Sequence, residues 1–194
     1  MTISVSYELV INMENKNWNF TSSSDNAYYP VLHDCIAGKM ELADGELRLS
    51  FPGGFKLLPD DPLNPYDEPH MTGPSELVFS LLYEDEDYDP AVFDQISWEV
   101  FHEHYLIPYV LCPPHHMRRP LFTTCVRPSI AKMAEKINSG EWKLWFVSKY
   151  THYNIGCLYE CVLLTKHRTH RCYFSVECNK VRFYWNEVKE TPER

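Results

Sequence analysis

Residues 142–185 read WKLWFVSKYTHYNIGCLYECVLLTKHRTHRCYFSVECNKVRFYW. Apolar and polar residues alternate through most of this stretch, and Trp, Tyr, Phe and Val are frequent, which is the pattern of strands with one buried face. The spacing predicts strands over 142–150, 156–165, 172–178 and 181–185, the last two joined by Asn179-Lys180 as a tight turn. That makes an antiparallel meander. Just upstream, Ile130, Met133, Ala134 and Ile137 recur at helical spacing, with Ser129 placed to cap the start and Gly140 just past the end, so a helix is expected near 129–139. The fold class that follows is α+β: a single domain over 1–194, dominated by antiparallel sheet, with one clear helix.

The rest of the chain agrees with that class. Residues 3–11 alternate as a strand, and His33 to Phe51 reads as a hairpin turning at Asp44-Gly45. Six prolines fall between Pro52 and Pro74, so 52–75 is expected to be an irregular loop, long enough to be a binding loop. Glu76 to Tyr83 is a short strand, followed by an acidic loop at 84–89. Residues 90–105 suit either state: Asp89-Pro90 can start a helix, but Ile96, Trp98, Val100 and His102 alternate, which favours strand.

Charge is distributed unevenly. No lysine or arginine lies between Lys56 and Arg118, while that stretch holds thirteen Asp and Glu. Residues 1–100 carry nineteen acids and four bases, and residues 101–194 carry eight acids and fourteen bases. The acidic part points to a surface for a basic protein partner, formed by Asp60, Asp61, Glu84, Asp85, Asp87, Tyr88 and Asp89, with Tyr66 and Tyr83 as further aromatic anchors. A net charge of −9 argues against nucleic acid, and no apolar run is long enough for a membrane helix. The run from Lys166 to Arg171 is expected at a hairpin tip, as a solubilising turn or as a contact for the acids in the same chain or in a second copy, so a dimer is one expected state. The N-terminus lacks the basic and apolar regions of a secretion signal, and the seven cysteines are expected as reduced thiols in a cytoplasmic protein.

Three segments, HDCIAGKMELADGELRLSFPGGF at 33–55, KINSGEWKLWF at 136–146, and LYEC at 158–161 with RCYFSVECNKVRFYWNEV at 171–188, resemble a group of small bacterial proteins of the α+β class without an established function. The resemblance covers most of 17–188 and implies no catalytic residues. By analogy with other small acidic bacterial proteins, it suggests immunity proteins that neutralise toxins by occlusion.

Few catalytic signals are present. The seven glycines form neither a phosphate-binding loop nor a dinucleotide fingerprint, and no nucleophile elbow occurs. The acidic run fails as a calcium loop, because Pro90 stands where glycine is needed and Ile96 where the bidentate Glu belongs. Cys157 and Cys161 lie roughly 13 Å apart on a strand, too far to chelate one zinc, and read as small core residues. His102 and His104 are the better ligand pair, since alternate strand residues face one way. Cys112, His115 and His116 are candidates for a third ligand, and zinc is the metal that would suit them. The leading expectation is a non-enzymatic binding protein with no cofactor. The alternatives are a metal-dependent enzyme using His102 and His104, and a β-rich protein that takes a small apolar ligand.

Overall fold

The computed structural model describes residues 17–26, 29–82, 95–104, 122–152 and 156–192. The expected strand at 3–11 and the acidic loop at 84–89 lie outside them. Among the described residues the molecule is mostly antiparallel sheet with one helix.

Its strands, in chain order, are β1 (Phe20–Ser23), β2 (Ile36–Ala37), β3 (Lys39–Ala43), β4 (Glu46–Phe51), β5 (Lys56–Leu57), β6 (His70–Thr72), β7 (Ser75–Leu81), β8 (Ile96–His104), β9 (Phe122–Val126), β10 (Trp142–His152), β11 (Gly156–Thr165), β12 (Thr169–Trp185) and β13 (Val188–Pro192). The helix, α1 (Ile130–Asn138), falls within the predicted span. The Ser129 side chain accepts from the Lys132 amide at its start, satisfying one of the free N–H groups of the first turn. Gly140, just beyond its end, sits at φ 74°, a left-handed conformation glycine adopts without Cβ strain. The β3–β4 hairpin turns at Asp44-Gly45 as expected, with φ of 52° and 69°.

One expectation is corrected. Residues 169–185 form a single strand, and Asn179-Lys180 is not a turn. Cys178 is buried, Asn179 and Lys180 face outward, and Val181 is buried again, while the pairing with β7 slips between Cys178 and Lys180. This is a β-bulge. It divides β12 between two neighbourhoods: its first half lies between β11 and β8, and its second half between β7 and β1.

Sharing that one long strand brings the main sheet round in the order β2-β10-β11-β12-β7-β4-β3. Residues 36–38 join its two ends: Ile36 and Ala37 pair with Trp145 and Leu144 of β10, and the Gly38 amide donates to the Ser50 carbonyl of β4 at 2.8 Å. The wall is therefore barrel-like, although β1, β3 and β9 each pair along one edge only among the described residues. Its inner face holds interlocked rings: Trp98 stacks on Phe174 at 3.9 Å, and Phe146 meets Tyr159 at 5.2 Å and Phe51 at 5.5 Å. Helix α1 covers the end where β10 begins, burying Ile130, Met133 and Ile137. Asn138 at its last turn accepts from the Met40 amide and donates to the Met40 carbonyl, both at 2.8 Å. The side-chain amide thus takes the place of a neighbouring strand along β3.

The proline-rich 52–75 segment is more ordered than expected. It contains β5 and β6, which join β13 in a separate three-stranded sheet. The buried Asn64 side chain donates to the carbonyls of Leu58 and Glu68, and buried His70 stacks on Tyr66 at 3.9 Å. Prolines limit strand length here, and local side-chain bonds hold the loop down instead.

Candidate functional site

The residues singled out from sequence are dispersed. Asp60 is exposed, but Asp61 is only 5% exposed, and its carboxylate accepts from the Leu63 amide at 2.9 Å, so it shapes a turn rather than offering a docking charge. Glu84, Asp85, Asp87, Tyr88 and Asp89 lie outside the described residues, as does Tyr83. Elsewhere in the acidic half, several acids meet bases of the same chain. Arg48 reaches Glu76 at 3.1 Å and also pairs with Glu46, Arg182 pairs with Glu46, and Arg127 donates to Glu99 at 3.1 Å. In the basic run, 166–168 form the β11–β12 turn, whereas Arg171 lies on the sheet over the rings of Phe101 and Tyr173.

His102 faces inward from β8, but its neighbour is His170 of β12, with ring centroids 4.3 Å apart. Burial is the main cause that lowers the His170 pKa from its ordinary value, with the charge on His102 adding to it. The His104 side chain, Cys112, His115 and His116 lie outside the described residues. No group of three or more His, Cys, Asp or Glu that could hold a metal ion occurs among the described residues.

What the fold does assemble is a cavity of about 390 Å³ in the inner face of the wall, further along β10 from the helix. Its floor is the buried Phe146, Tyr159 and Phe183, and its rim is half-exposed Tyr29 and Val147 with exposed His33. The rim segment 29–35 is fastened to β10. The Asp34 amide donates to the Phe146 carbonyl, and the Phe146 amide donates to the Cys35 carbonyl, each at 2.9 Å. Asp34 takes φ 67° to do so, and its carboxylate accepts from the Trp145 ring N–H at 3.3 Å.

Polarity enters this apolar chamber at two points. Register between β10 and β11 slips between Phe146 and Ser148, so inward positions change from 144 and 146 to 149. Without that bulge Lys149 would point out of the wall. With it, Lys149 stands opposite Tyr159 on the inner face, an instance of a bulge re-aiming a side chain. The Lys149 ammonium is 3.4 Å from the Tyr29 hydroxyl and 4.7 Å from the centre of that ring. Among the described residues it pairs with no carboxylate. The second point is Tyr159, which is buried, and whose hydroxyl has no hydrogen-bond partner of ordinary geometry among the described residues. Of the buried polar atoms in that condition, it is the one on the cavity lining.

Behind Tyr159 lie two thiols. Cys157 precedes it by two residues on the same face of β11, and Cys178 faces the same interior from the bulge of β12. The neighbouring Cys178 thiol first, then the Lys149 charge and the Tyr159 hydroxyl, draw the Cys157 pKa down to about 6 in spite of burial. The Cys157 sulfur pushes the Cys178 thiol up, and burial, with the charge and hydrogen bonding of Cys157, raises the Tyr159 phenol well above its ordinary value, leaving it protonated. The arrangement can therefore present an ammonium and a phenolic donor to one acceptor group in an otherwise apolar space.

Comparisons with protein-family models, with curated proteins and with solved structures found no match.

Proposed function

We propose that this protein binds a small, largely apolar molecule carrying one anionic or strongly hydrogen-bond-accepting group, such as a medium-chain carboxylate. The observation that carries the reading is the buried Tyr159 hydroxyl, which has no hydrogen-bond partner of ordinary geometry among the described residues, in a cavity that a β-bulge also supplies with Lys149. An unbonded buried hydroxyl costs about 1–3 kcal/mol, which a purely structural wall would avoid with phenylalanine. The volume of about 390 Å³ falls within the span of small-molecule sites, which are mostly apolar with a few convergent polar groups. In this reading Phe146, Phe183 and Leu32 hold the apolar body, while Lys149 and Tyr159 hold the head group.

Isothermal titration with decanoate and with decanol tests it. Decanoate is expected to bind one to one and more tightly than decanol. Lys149→Gln is expected to weaken decanoate about tenfold, the size of a charge-assisted hydrogen bond, and to leave decanol nearly unchanged. Equal binding of both probes, unaffected by Lys149→Gln, would refute the head-group assignment. No saturable binding of either would refute the cavity as a site for this ligand class.

A further inference from the structure

A second cavity, of about 190 Å³, lies at the end of the barrel under α1, away from the one around Lys149. The register that pairs Arg171 with Phe101, continued by one residue, sets His170 of β12 opposite His102 of β8. Both half-buried imidazoles line this cavity, with ring centroids 4.3 Å apart. Lys132, in the first turn of α1, faces the same space beside a wall of Trp142 and Leu163. Among the described residues no Asp or Glu lines it. Trp142 and Thr165 also line an adjoining surface hollow, where Lys143, Lys166 and His167 stand. The one acid of that hollow, Glu141, is paired with Lys136 at 2.9 Å. The β11–β12 turn between the two is held in place: the Thr165 hydroxyl donates to the Arg168 carbonyl at 2.8 Å and accepts from the Arg168 amide at 3.1 Å. A chain of net charge −9 thus gathers three lysines and three histidines around one end of its barrel, against one acid that is already paired.

We infer that this end of the barrel binds a small phosphomonoester, its phosphate held by His102, His170 and Lys132 and its organic part laid on Trp142. Three side chains that can each donate from a charged nitrogen match the several acceptor oxygens of a phosphate. Two histidines would also suit a metal, but no third ligand joins them among the described residues, and the Lys132 cation opposes a metal ion. The volume of about 190 Å³ is below the roughly 300–1,000 Å³ of sites that enclose a whole ligand, so the cavity takes the head group. The body then passes over Trp142 towards the hollow of Lys143 and Lys166, whose charges add to the attraction. Charge around the pair favours an anion. On β8 His102 faces His170 and Glu103 is exposed, on β12 Arg168 is near and Arg171 lies over Phe101 and Tyr173, and α1 supplies Lys132. Burial first, then the charges of His102 and Arg168, lower the His170 pKa, and Glu103 acts in the opposite direction. A bound dianion reverses that balance, so binding draws a proton onto the pair. The site stands independently of whether the Lys149 cavity binds a carboxylate.

The test is isothermal titration of the full chain with phenyl phosphate, inorganic phosphate and phenol at about pH 7.5, where the ester is mostly a dianion and an ordinary histidine mostly neutral. Phenyl phosphate is expected to bind one to one, inorganic phosphate about tenfold more weakly for want of the ring against Trp142, and phenol without saturation. Repeating the titration in two buffers of different ionisation enthalpy counts protons, and uptake of about one per phenyl phosphate is expected. His170→Gln should weaken binding about tenfold and abolish the uptake. Lys132→Gln should weaken it about fivefold and keep the uptake. Lys149→Gln should change neither. Absence of saturable phosphate binding, binding without proton uptake, or binding lost in Lys149→Gln would overturn the inference. So would equal affinity for the two phosphates, or stoichiometric zinc binding that His170→Gln removes in a protein that takes no phosphate. The ligand order and proton count of the unaltered chain decide the matter even if a variant fails to fold.

Discussion

Tyr159→Phe separates a ligand-binding hydroxyl from a structural one, because the two roles predict opposite signs of stability change. A tyrosine hydroxyl with a good structural partner stabilises the fold, and its removal costs about 1 kcal/mol. The Tyr159 hydroxyl is buried and unpartnered among the described residues, so its removal relieves a desolvation penalty instead. The ring keeps its contacts with Phe146 at 5.2 Å, Phe79 at 6.0 Å and Phe174 at 5.9 Å, which leaves the transfer term nearly unchanged. The expected gain is about 1 kcal/mol of the 1–3 kcal/mol penalty, since the Cys157 sulfur beside the hydroxyl offsets part of it. For a domain of this size that corresponds to an increase in Tm of about 2–4 °C. On the same samples, decanoate affinity should fall about five- to tenfold as one neutral or charge-assisted donor is lost. Urea denaturation with an unchanged m-value, thermal melting and calorimetric titration together read both quantities. A Tyr159→Phe protein that is less stable, or that binds decanoate as well as the parent, would refute the reasoning: the hydroxyl would then be structural, or idle.

Other perturbations test the scaffold. Asn138→Ala removes both bonds to the Met40 backbone and should cost about 2 kcal/mol, lowering the urea midpoint; a change within roughly 0.5 kcal/mol would mean water replaces the side chain without loss. Gly54→Ala should prevent stable folding, judged by lost near-ultraviolet dichroism, because the residue sits at φ 91° and a Cβ would lie 2.1 Å from the Thr72 carbonyl. For His170, burial and His102 lower the folded-state pKa, so the unfolded chain takes up its proton first. Stability should therefore fall as pH drops below the ordinary value of 6.5. His170→Gln should flatten that part of the urea-midpoint profile, and an unchanged slope would assign the acid sensitivity to other groups.

Much of the fold was legible because strand and helix periods are properties of the local sequence. The β3–β4 hairpin announces itself at Asp44-Gly45, and α1 through Ile130, Met133 and Ile137. The misreading at Asn179-Lys180 has a physical cause: two consecutive polar residues between alternating runs are the common signature of a tight turn and of a bulge. Only the pairing of both halves of β12 with different neighbours distinguishes them, and that is long-range information. His102 is singled out by sequence as a ligand pair with His104, whereas the ring beside it is His170, which lies across a strand pairing that no local pattern specifies.

Lys149 shows why the site itself was not legible. Counting inward positions along β10 from Leu144 and Phe146 by twos reaches Ser148 and sends the lysine to solvent, where a charge is unremarkable. The slip between Phe146 and Ser148 reverses that parity. A bulge that merely relieved strain would be as well placed at a residue whose side chain is indifferent to the interior. Here it turns an ammonium inward opposite a phenol without a partner of ordinary geometry among the described residues, and the other bulge, at Asn179, fixes the inward place of Cys178. Two local departures from regular pairing thus converge on one part of the wall, and both bring in polar or reactive groups where continued alternation would not. Turning a half-buried cation and a buried hydroxyl toward an apolar interior works against stability, which fits the proposal that the barrel wall yields some stability there to hold a site.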